Sequence, residues 1–525
     1  MTEREQKILT ARLNPKPSEI VFPEDGFYRL DGKSVIMIEL PETDTLECSD
    51  KVQMLTFWQN ASFVQLRVPA LTALEQLNMT IQTFWDCDPV LDAECCEAAR
   101  NLPPDGYEIA VTADGIRIRA SALEGVRYAL QTLRQLAEAE RGVLTRKAYE
   151  LPFCRIKDAP AMKFRGLHIC WFPENRAWQI ERAIRLAAAY KFNYIVLETW
   201  GVFPFKKHPY LCWPGRGIDA TELKRIVSAA KMLGVTVIPQ FNLLGHASGS
   251  RENGGKHVVL NNEPEYAPLF EPDGWSWCIS NPETRKVLKD CVLEMLDVFG
   301  NPPFFHIGCD EARLLGTCRL CRNRELKTLV LDHLIYFHDL LQEHGVRTIM
   351  WHDMLLNRED PRWNGYIVCG HEANGLGELY KELPKDIIIA DWQYDYPEKD
   401  GEPPAWPTAH FFKDQGFDTI VSPAGNLPGL RSLCELAASE PLFGVLETTW
   451  SELDRGMLST IFKAGEALWH GGRREMLDAE FDRGWAPDAT CLMHHHLRQV
   501  ENDLGLHDYE SAGRIALQMP EKVTI

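Results

Sequence analysis

The chain has 525 residues, 45% of them apolar and 25% charged, an ordinary composition for a polypeptide that folds around a core. Lys and Arg number 56 against 75 Asp and Glu, a formal net charge of −19. That deficit of cations argues against a nucleic-acid partner, which needs a basic face, and equally against a polybasic membrane contact.

No run of apolar residues approaches the ~18 that a spanning helix needs, and the opening segment MTEREQKILTARLNPKP has no apolar core of signal-peptide length. The 15 cysteines are scattered rather than arranged as a disulfide scaffold, so a reducing cytoplasm is the expected compartment. At roughly 150 residues per domain the length allows three or four domains, or one large barrel with a smaller companion.

In chain order, residues 84–98, with Cys87, Cys95 and Cys96 among acids, read as a surface loop or short helix. Tyr107–Ala120 alternates apolar and polar residues around Asp114-Gly115, which predicts a β-hairpin. Val126, Leu130, Leu133 and Leu136 then recur at helical spacing and predict a helix over 123–136. Strands followed by a covering helix predict a small α+β domain over residues 1–155.

From Phe164 the rhythm becomes strand, loop, helix. Candidate strands are Phe164–Cys170, Tyr194–Thr199, Thr236–Phe241, Phe304–Cys309, Thr348–Asp353, Ile387–Trp392, Thr419–Ser422 and Gly444–Thr448. Helical stretches separate most of them, over 177–191, 221–233, 282–299 and 325–344. Eight strands at this spacing predict an α/β fold, a (β/α)8 TIM barrel over residues 156–470. A doubly wound open sheet shares the alternation, but no Gly-rich dinucleotide fingerprint follows any strand. Residues 471–525, with His494-His495-His496, are expected to form a C-terminal helical extension.

Catalytic groups of such barrels sit at the C-terminal ends of the strands. Taken in order, the strands carry Arg165, Glu198, Asn242 and His246, Asp310-Glu311, Trp351 and Asp353, Asp391-Trp392 with Tyr394, and Trp450 with Glu452. Acids alternating with indoles suit a carbohydrate, because aromatic faces pack on sugar C–H surfaces while carboxylates and Arg meet hydroxyls. Phosphate sites favour glycine-rich loops and lysines, which this rim lacks. Asp310-Glu311 is the sharpest element, since the apolar run Phe304–Cys309 delivers two carboxylates together. Their repulsion should raise the proton affinity of one, leaving an acid beside an anion, the combination glycoside cleavage needs. The plainer reading is a dipeptide capping the next helix.

His306-Ile-Gly-Cys-Asp-Glu-Ala312 resembles the fourth-strand signature of family 20 glycoside hydrolases, the exo-β-N-acetylhexosaminidases. Phe164-Arg-Gly-Leu167, Ile238-Pro-Gln-Phe-Asn-Leu-Leu-Gly-His246 and Thr449-Trp-Ser-Glu452 resemble its first-strand, third-strand and closing blocks. Tyr107–Leu136 resembles its companion domain, so the likeness covers residues 100–455 in the right order. Arg216-Gly217, Glu311–Gly316 and Trp392-Gln-Tyr394 lean towards a divergent, unsecreted bacterial branch.

The resemblance implies substrate-assisted hydrolysis with retention, in which the sugar's own 2-acetamido oxygen attacks the anomeric carbon; family 20 is a known exception to the two-carboxylate scheme. By the same resemblance Asp310 orients the acetamide and Glu311 is the acid/base. Arg165 holds O3 and O4, Glu452 binds O4 or O6, and Trp351, Trp392 and Trp450 wall the sugar pocket. His246 tunes the acid and Tyr394 donates to the acetamide carbonyl.

The expected substrate is a carbohydrate ending in GlcNAc or GalNAc, with no nucleic acid, membrane or cofactor involved; a homodimer is left open. Alternatives are another exo-β-glycosidase with altered 2-position specificity, or a catalytically idle carbohydrate-binding relative. The sequence departs from the family where Cys170, Gln240 and Asn242 stand in place of acids, and Ser422-Pro-Ala-Gly-Asn426 replaces a Tyr-x-Asp. No metal is expected. Cys318-Arg-Leu-Cys321 has metal-finger spacing but no second Cys or His pair at matching distance, so two reduced thiols are the expectation. Consecutive histidines at 494–496 would point in different directions on a helix. The His352-Asp353 and His371-Glu372 pairs lack the first-strand partner that barrel metallohydrolases carry.

Overall fold

The structure, a computed structural model, describes residues 13–40, 64–70, 99–136, 138–139, 149–248, 259–395, 405–450 and 455–473, with residues 6, 10, 74 and 453. The expected loop at 84–98, Glu452, and the C-terminal extension beyond 473 lie outside the described residues.

The N-terminal domain is a six-stranded sheet beside a three-stranded one. Strands β1 (Glu19–Val21), β3 (Val35–Leu40), β4 (Val64–Pro69), β5 (Tyr107–Thr112), β6 (Gly115–Ala120) and β9 (Cys154–Asp158) pair in the order β1-β9-β5-β6-β3-β4. Strands β2 (Phe27–Arg29), β8 (Tyr149–Pro152) and β7 (Glu138–Ala139) form the smaller sheet. β5 and β6 are the predicted hairpin, with Tyr107 opposite Ala120 and Thr112 opposite Gly115. Helix α1 (Leu123–Leu136) buries Val126, Leu130, Leu133 and Leu136 in the same core as Ile109, Ile118 and Ile156. The boundary expected at 155 falls inside β9.

Eight parallel strands then close into a barrel: β10 (Phe164–Trp171), β11 (Tyr194–Thr199), β12 (Thr236–Gln240), β13 (Phe304–His306), β14 (Arg347–Trp351), β15 (Ile388–Asp391), β16 (Thr419–Val421) and β17 (Gly444–Glu447). Closure comes from β10 pairing with both β11 and β17. The crossovers carry α2 (Ala177–Ala189), α3 (Ala220–Met232), α4 (Pro282–Phe299) and α5 (Leu326–Glu343), then α6 (Pro407–Asp414), α7 (Leu427–Ser439) and, after β17, α8 (Arg455–His470). Between β14 and β15 only short 3-10 turns form, where Pro361, Gly365, Gly370, Gly375, Gly377 and Pro384 interrupt any α-helical run.

Inside the barrel Phe164, Val196, Ile238, Ile349, Ile388, Ile420 and Leu446 form one apolar cluster, so the barrel is a packed core rather than a pore. Its lower end is aromatic, with Phe164 stacked on Tyr194 at 4.4 Å between centroids.

The two domains are joined by buried polar chemistry at the N-terminal end of the barrel. Lys191 Nζ lies 3.1 Å from Asp158 Oδ2, both side chains being 0% exposed. Asp158 also accepts from Tyr107 Oη at 2.8 Å and from Trp469 Nε1 at 3.0 Å. Arg165 belongs to this junction, which corrects its expected role as a sugar-binding residue. It is the second residue of β10, at the end opposite the catalytic rim. Its guanidinium donates to the carbonyls of Lys191 and Met162 and to Tyr128 Oη of α1, at 3.0, 2.6 and 2.6 Å.

Candidate active site

The site is assembled at the C-terminal ends of β11 to β15 and β17. β13 stops at His306, three residues before the sequence pattern ends, because Gly308, Cys309 and Glu311 adopt φ values of 64°, 74° and 44°. Left-handed backbone in Cys and Glu is strained, and such strain persists only where the surroundings over-determine it. Here Asn242 Oδ1 accepts from Cys309 N–H at 2.8 Å, and Asp353 Oδ2 accepts from Glu311 N–H at 2.9 Å. Trp275 Nε1 donates to the Glu311 carbonyl at 2.7 Å. The turn thus presents Asp310, 5% exposed, and Glu311, about one-third exposed, side by side.

His246 lies between them. Its Nε2 is 3.2 Å from Asp310 Oδ2 and 3.4 Å from Glu311 Oε2, and its ring packs on Trp275 at 4.4 Å. The hydrogen bond from His246, outweighing burial, holds the Glu311 carboxyl below its ordinary range. Burial, reinforced by the negative charge of Asp310, instead raises the proton affinity of Asp353, which is fully buried on the turn after β14. A split of proton affinities therefore exists between Glu311, which is lowered, and Asp353, which is raised. Asp353 spends both oxygens on positioning, since Oδ1 also accepts from Trp392 Nε1 at 3.1 Å.

The aromatic residues do gather. Trp450 sits 5.2 Å from Trp351 and 6.2 Å from Trp392, and Trp392 sits 5.6 Å from Tyr394. Trp351 is 0% exposed and packs on His306 at 4.3 Å, so it floors the group rather than walling an open pocket. Trp392, Tyr394 and Trp450 are partly exposed. Burial and the charge of Asp310 push the Tyr394 hydroxyl well up, keeping it a neutral donor.

Asp310, Glu311, His246, Trp351, Trp392, Tyr394 and Trp450 thus converge, while Arg165 does not. Asp353, expected at the rim without a role, and Trp275, not expected there, join them. Trp275 had no signal of its own in the sequence; Asp353 stood at a strand end and was legible as a position only.

The replaced family acids find an explanation on the barrel floor. Glu198 Oε1 accepts from Gln240 Nε2 at 2.8 Å and Asn242 Nδ2 at 3.4 Å. Its Oε2 takes Trp200 Nε1 at 3.2 Å and Cys170 Sγ at 3.6 Å, with His168 Nε2 at 3.3 Å. Cys170, Gln240 and Asn242 therefore surround one remaining carboxylate with neutral donors, where further acids would repel it.

Beside Glu311 opens a cleft of about 440 Å³ lined by Arg313, Leu315, Met354, Arg358 and His371 among others. Trp351, Trp392 and Trp450 are not among its lining residues.

The model of glycosyl hydrolase family 20, domain 2, matches residues 11–159, and that of the family 20 catalytic domain matches residues 218–426. The chain belongs to glycoside hydrolase family 20. It is 26% identical over 345 residues to a beta-hexosaminidase of Akkermansia muciniphila, covering 57% of this chain and 66% of that one. It is 26% identical over 289 residues to a beta-hexosaminidase of Porphyromonas gingivalis, covering 49% of this chain and 37% of that one. The family 20 chain therefore spans about a third to two thirds of these relatives' length. Among solved structures, a Bacteroides fragilis beta-N-acetylhexosaminidase shares the fold at a TM-score of 0.60 and 20% identity, covering 90% of this chain and 93% of that one. A Flavobacterium johnsoniae chitobiase does so at a TM-score of 0.62 and 18% identity, covering 97% and 75%.

Proposed function

We propose that this family 20 chain is a retaining exo-β-N-acetylhexosaminidase that releases terminal β-linked GlcNAc or GalNAc by substrate assistance. The observation that carries this reading is the Asp310–Glu311 pair on its left-handed turn, bridged by His246 and set beside partly exposed indoles. No separate protein nucleophile is needed, because the 2-acetamido oxygen attacks the anomeric carbon as the glycosidic bond breaks. Asp310, buried against His246, orients the acetamide and balances its growing positive charge. Tyr394 donates to the acetamide carbonyl, and Trp392 and Trp450 pack on the sugar face.

Glu311 supplies the proton to the leaving oxygen and then takes one from water. Its partly exposed position beside the cleft suits both steps, since a bound leaving group buries it and raises its proton affinity from the low resting value. The named activities of the relatives, beta-hexosaminidase in both, agree with this assignment. Its proposed place of action is a reducing compartment, as expected from cysteines scattered along the sequence rather than set out as a disulfide scaffold.

The test is release of 4-nitrophenol from its β-GlcNAc, β-GalNAc and β-glucoside derivatives. The N-acetylated substrates turn over and the glucoside does not. Glu311→Gln folds normally and loses nearly all activity on alkyl glycosides, whose leaving groups need a proton. Wild-type turnover by that variant overturns the assignment; turnover of the glucoside alone favours a different exo-glycosidase, and none at all a binding protein.

A further inference from the structure

The loop after β12 and the loop after β13 meet below Glu311 in a cluster the reaction does not use. Glu271 and Cys278 come from the first, and Cys318 and Cys321 from the second. One carboxylate oxygen and the three sulfurs all lie within 4.8 Å of one another. Cys278 Sγ is 3.3 Å from Cys318 Sγ and 3.8 Å from Cys321 Sγ, and all three thiols are free. We propose that Cys278, Cys318, Cys321 and Glu271 bind one Zn²⁺ ion that staples these two loops together.

The geometry suits that ion. Sulfurs held ~2.3 Å from a tetrahedral zinc stand about 3.8 Å apart, close to the separations seen. Three thiols and a carboxylate packed without a cation are an unfavourable arrangement, and here Glu271 is 1% exposed, Cys278 1% and Cys321 0%. Glu271 pairs with no Lys, Arg or His among the described residues. Its oxygens instead accept from the backbone N–H groups of Gly316, Thr317 and Cys318, at 3.2, 3.0 and 2.6 Å. These donors fix the Cys-x-x-Cys loop around the would-be centre. Cys321 N–H and Arg322 N–H both turn back to the Cys318 carbonyl, at 3.2 and 3.0 Å.

The spacing hid the site, because its third sulfur comes from 40 residues upstream rather than from a second Cys pair. Binding is a ligand exchange without redox chemistry. Three S–H bonds give up their protons to solvent as three Zn–S bonds and one Zn–O bond to Glu271 replace the water molecules that the ion carries in solution.

The staple bears on catalysis by position. Trp275, between Glu271 and Cys278, donates to the Glu311 carbonyl, and Ser276 Oγ donates to the Arg313 carbonyl at 2.7 Å. Zinc therefore holds the strained Glu311 turn from beneath, as a positioning element outside the substrate pocket.

Metal analysis of the full chain, purified under reducing conditions without chelators, tests this. It should show one zinc per chain, released on alkylation of the thiols. Cys318→Ser, at the more exposed ligand, should fall to less than a fifth of that content, while Cys434→Ser on α7 keeps it. Wild-type protein grown with Co²⁺ should show thiolate-to-cobalt charge-transfer absorption with tetrahedral d–d bands, which does not depend on any variant folding. A zinc-free chain that takes up no Co²⁺ in this form, or peptide mapping of a Cys278–Cys318 disulfide in the reduced-handled protein, overturns the proposal.

Discussion

Gly308→Ala is the substitution that most sharply tests how the catalytic turn is built. A methyl group on Gly308 falls 1.7 Å from Asn242 Oδ1, inside any permitted contact, and the residue holds φ +64°. The left-handed conformation alone costs an L-residue about 1–2 kcal/mol. Asn242 must also swing away, and Cys309 N–H then loses the acceptor it has at 2.8 Å. An unmade bond at a buried donor costs about 1–3 kcal/mol. Together the loss is about 2–5 kcal/mol, against a total stability of about 5–15 kcal/mol for a typical domain. A drop in Tm on the order of 10 °C follows.

Urea and thermal unfolding measure this directly. Because Asn242 also braces Glu198, and Cys309 leads into Asp310, kcat should fall at least about tenfold, the equivalent of 1.4 kcal/mol in the barrier. Gly345→Ala is the control: φ is +69° there too, but a Cβ meets nothing within 4 Å, so only the conformational cost remains. Wild-type Tm and kcat in Gly308→Ala would refute the seating of Asn242 under the catalytic turn.

Arg165→Met should lower stability by several kcal/mol, since it strands buried carbonyls and Tyr128 Oη, yet leave KM of the folded fraction unchanged; a rise in KM alone would return Arg165 to the sugar site. Lys191→Met leaves Asp158 buried and unpaired and should cost about 3–5 kcal/mol in urea unfolding, much of it recovered by adding Asp158→Asn. Glu447 is fully buried, and burial lifts its carboxyl from 4.5 to about 8. The folded state then binds the extra proton, so wild-type stability is full at low pH and falls as pH rises through this window. Glu447→Gln keeps the acceptor for Gly425 N–H and should flatten that fall by up to about 1.4 kcal/mol per pH unit. His246→Phe removes the bond that lowers the Glu311 carboxyl. Glu311 must be protonated to act as an acid, so the alkaline limb of kcat/KM should move to higher pH; a limb that stays put would detach His246 from Glu311.

The strand ends were legible from the sequence because parallel strands buried on both faces read as apolar runs, and all eight fall within a few residues of their expected places. The helix at 123–136 was equally plain from its periodicity. Arg165 misled because a family-like signature marks a strand without marking which end of it carries a side chain to the rim. Lys191 and Tyr128, 26 residues downstream of Arg165 and 37 upstream of it, supply the partners that decide its place. Trp351 was expected in the wall and packs in the floor, since inward-facing residues of a barrel fill its core before they reach solvent. Asp353 and Trp275 acquire their roles through contacts with Glu311 made across 42 and 36 residues. No local pattern carries such contacts.

The central claim is that the substrate's acetamide, oriented by Asp310, is the nucleophile. It is tested most directly by kcat/KM along a series of 4-nitrophenyl β-glucosaminides acylated with acetyl, fluoroacetyl, difluoroacetyl and trifluoroacetyl groups. Fluorine withdraws electron density from the attacking oxygen without changing the leaving group. The account predicts a steep, progressive fall in rate with each fluorine; rates independent of fluorination would contradict it.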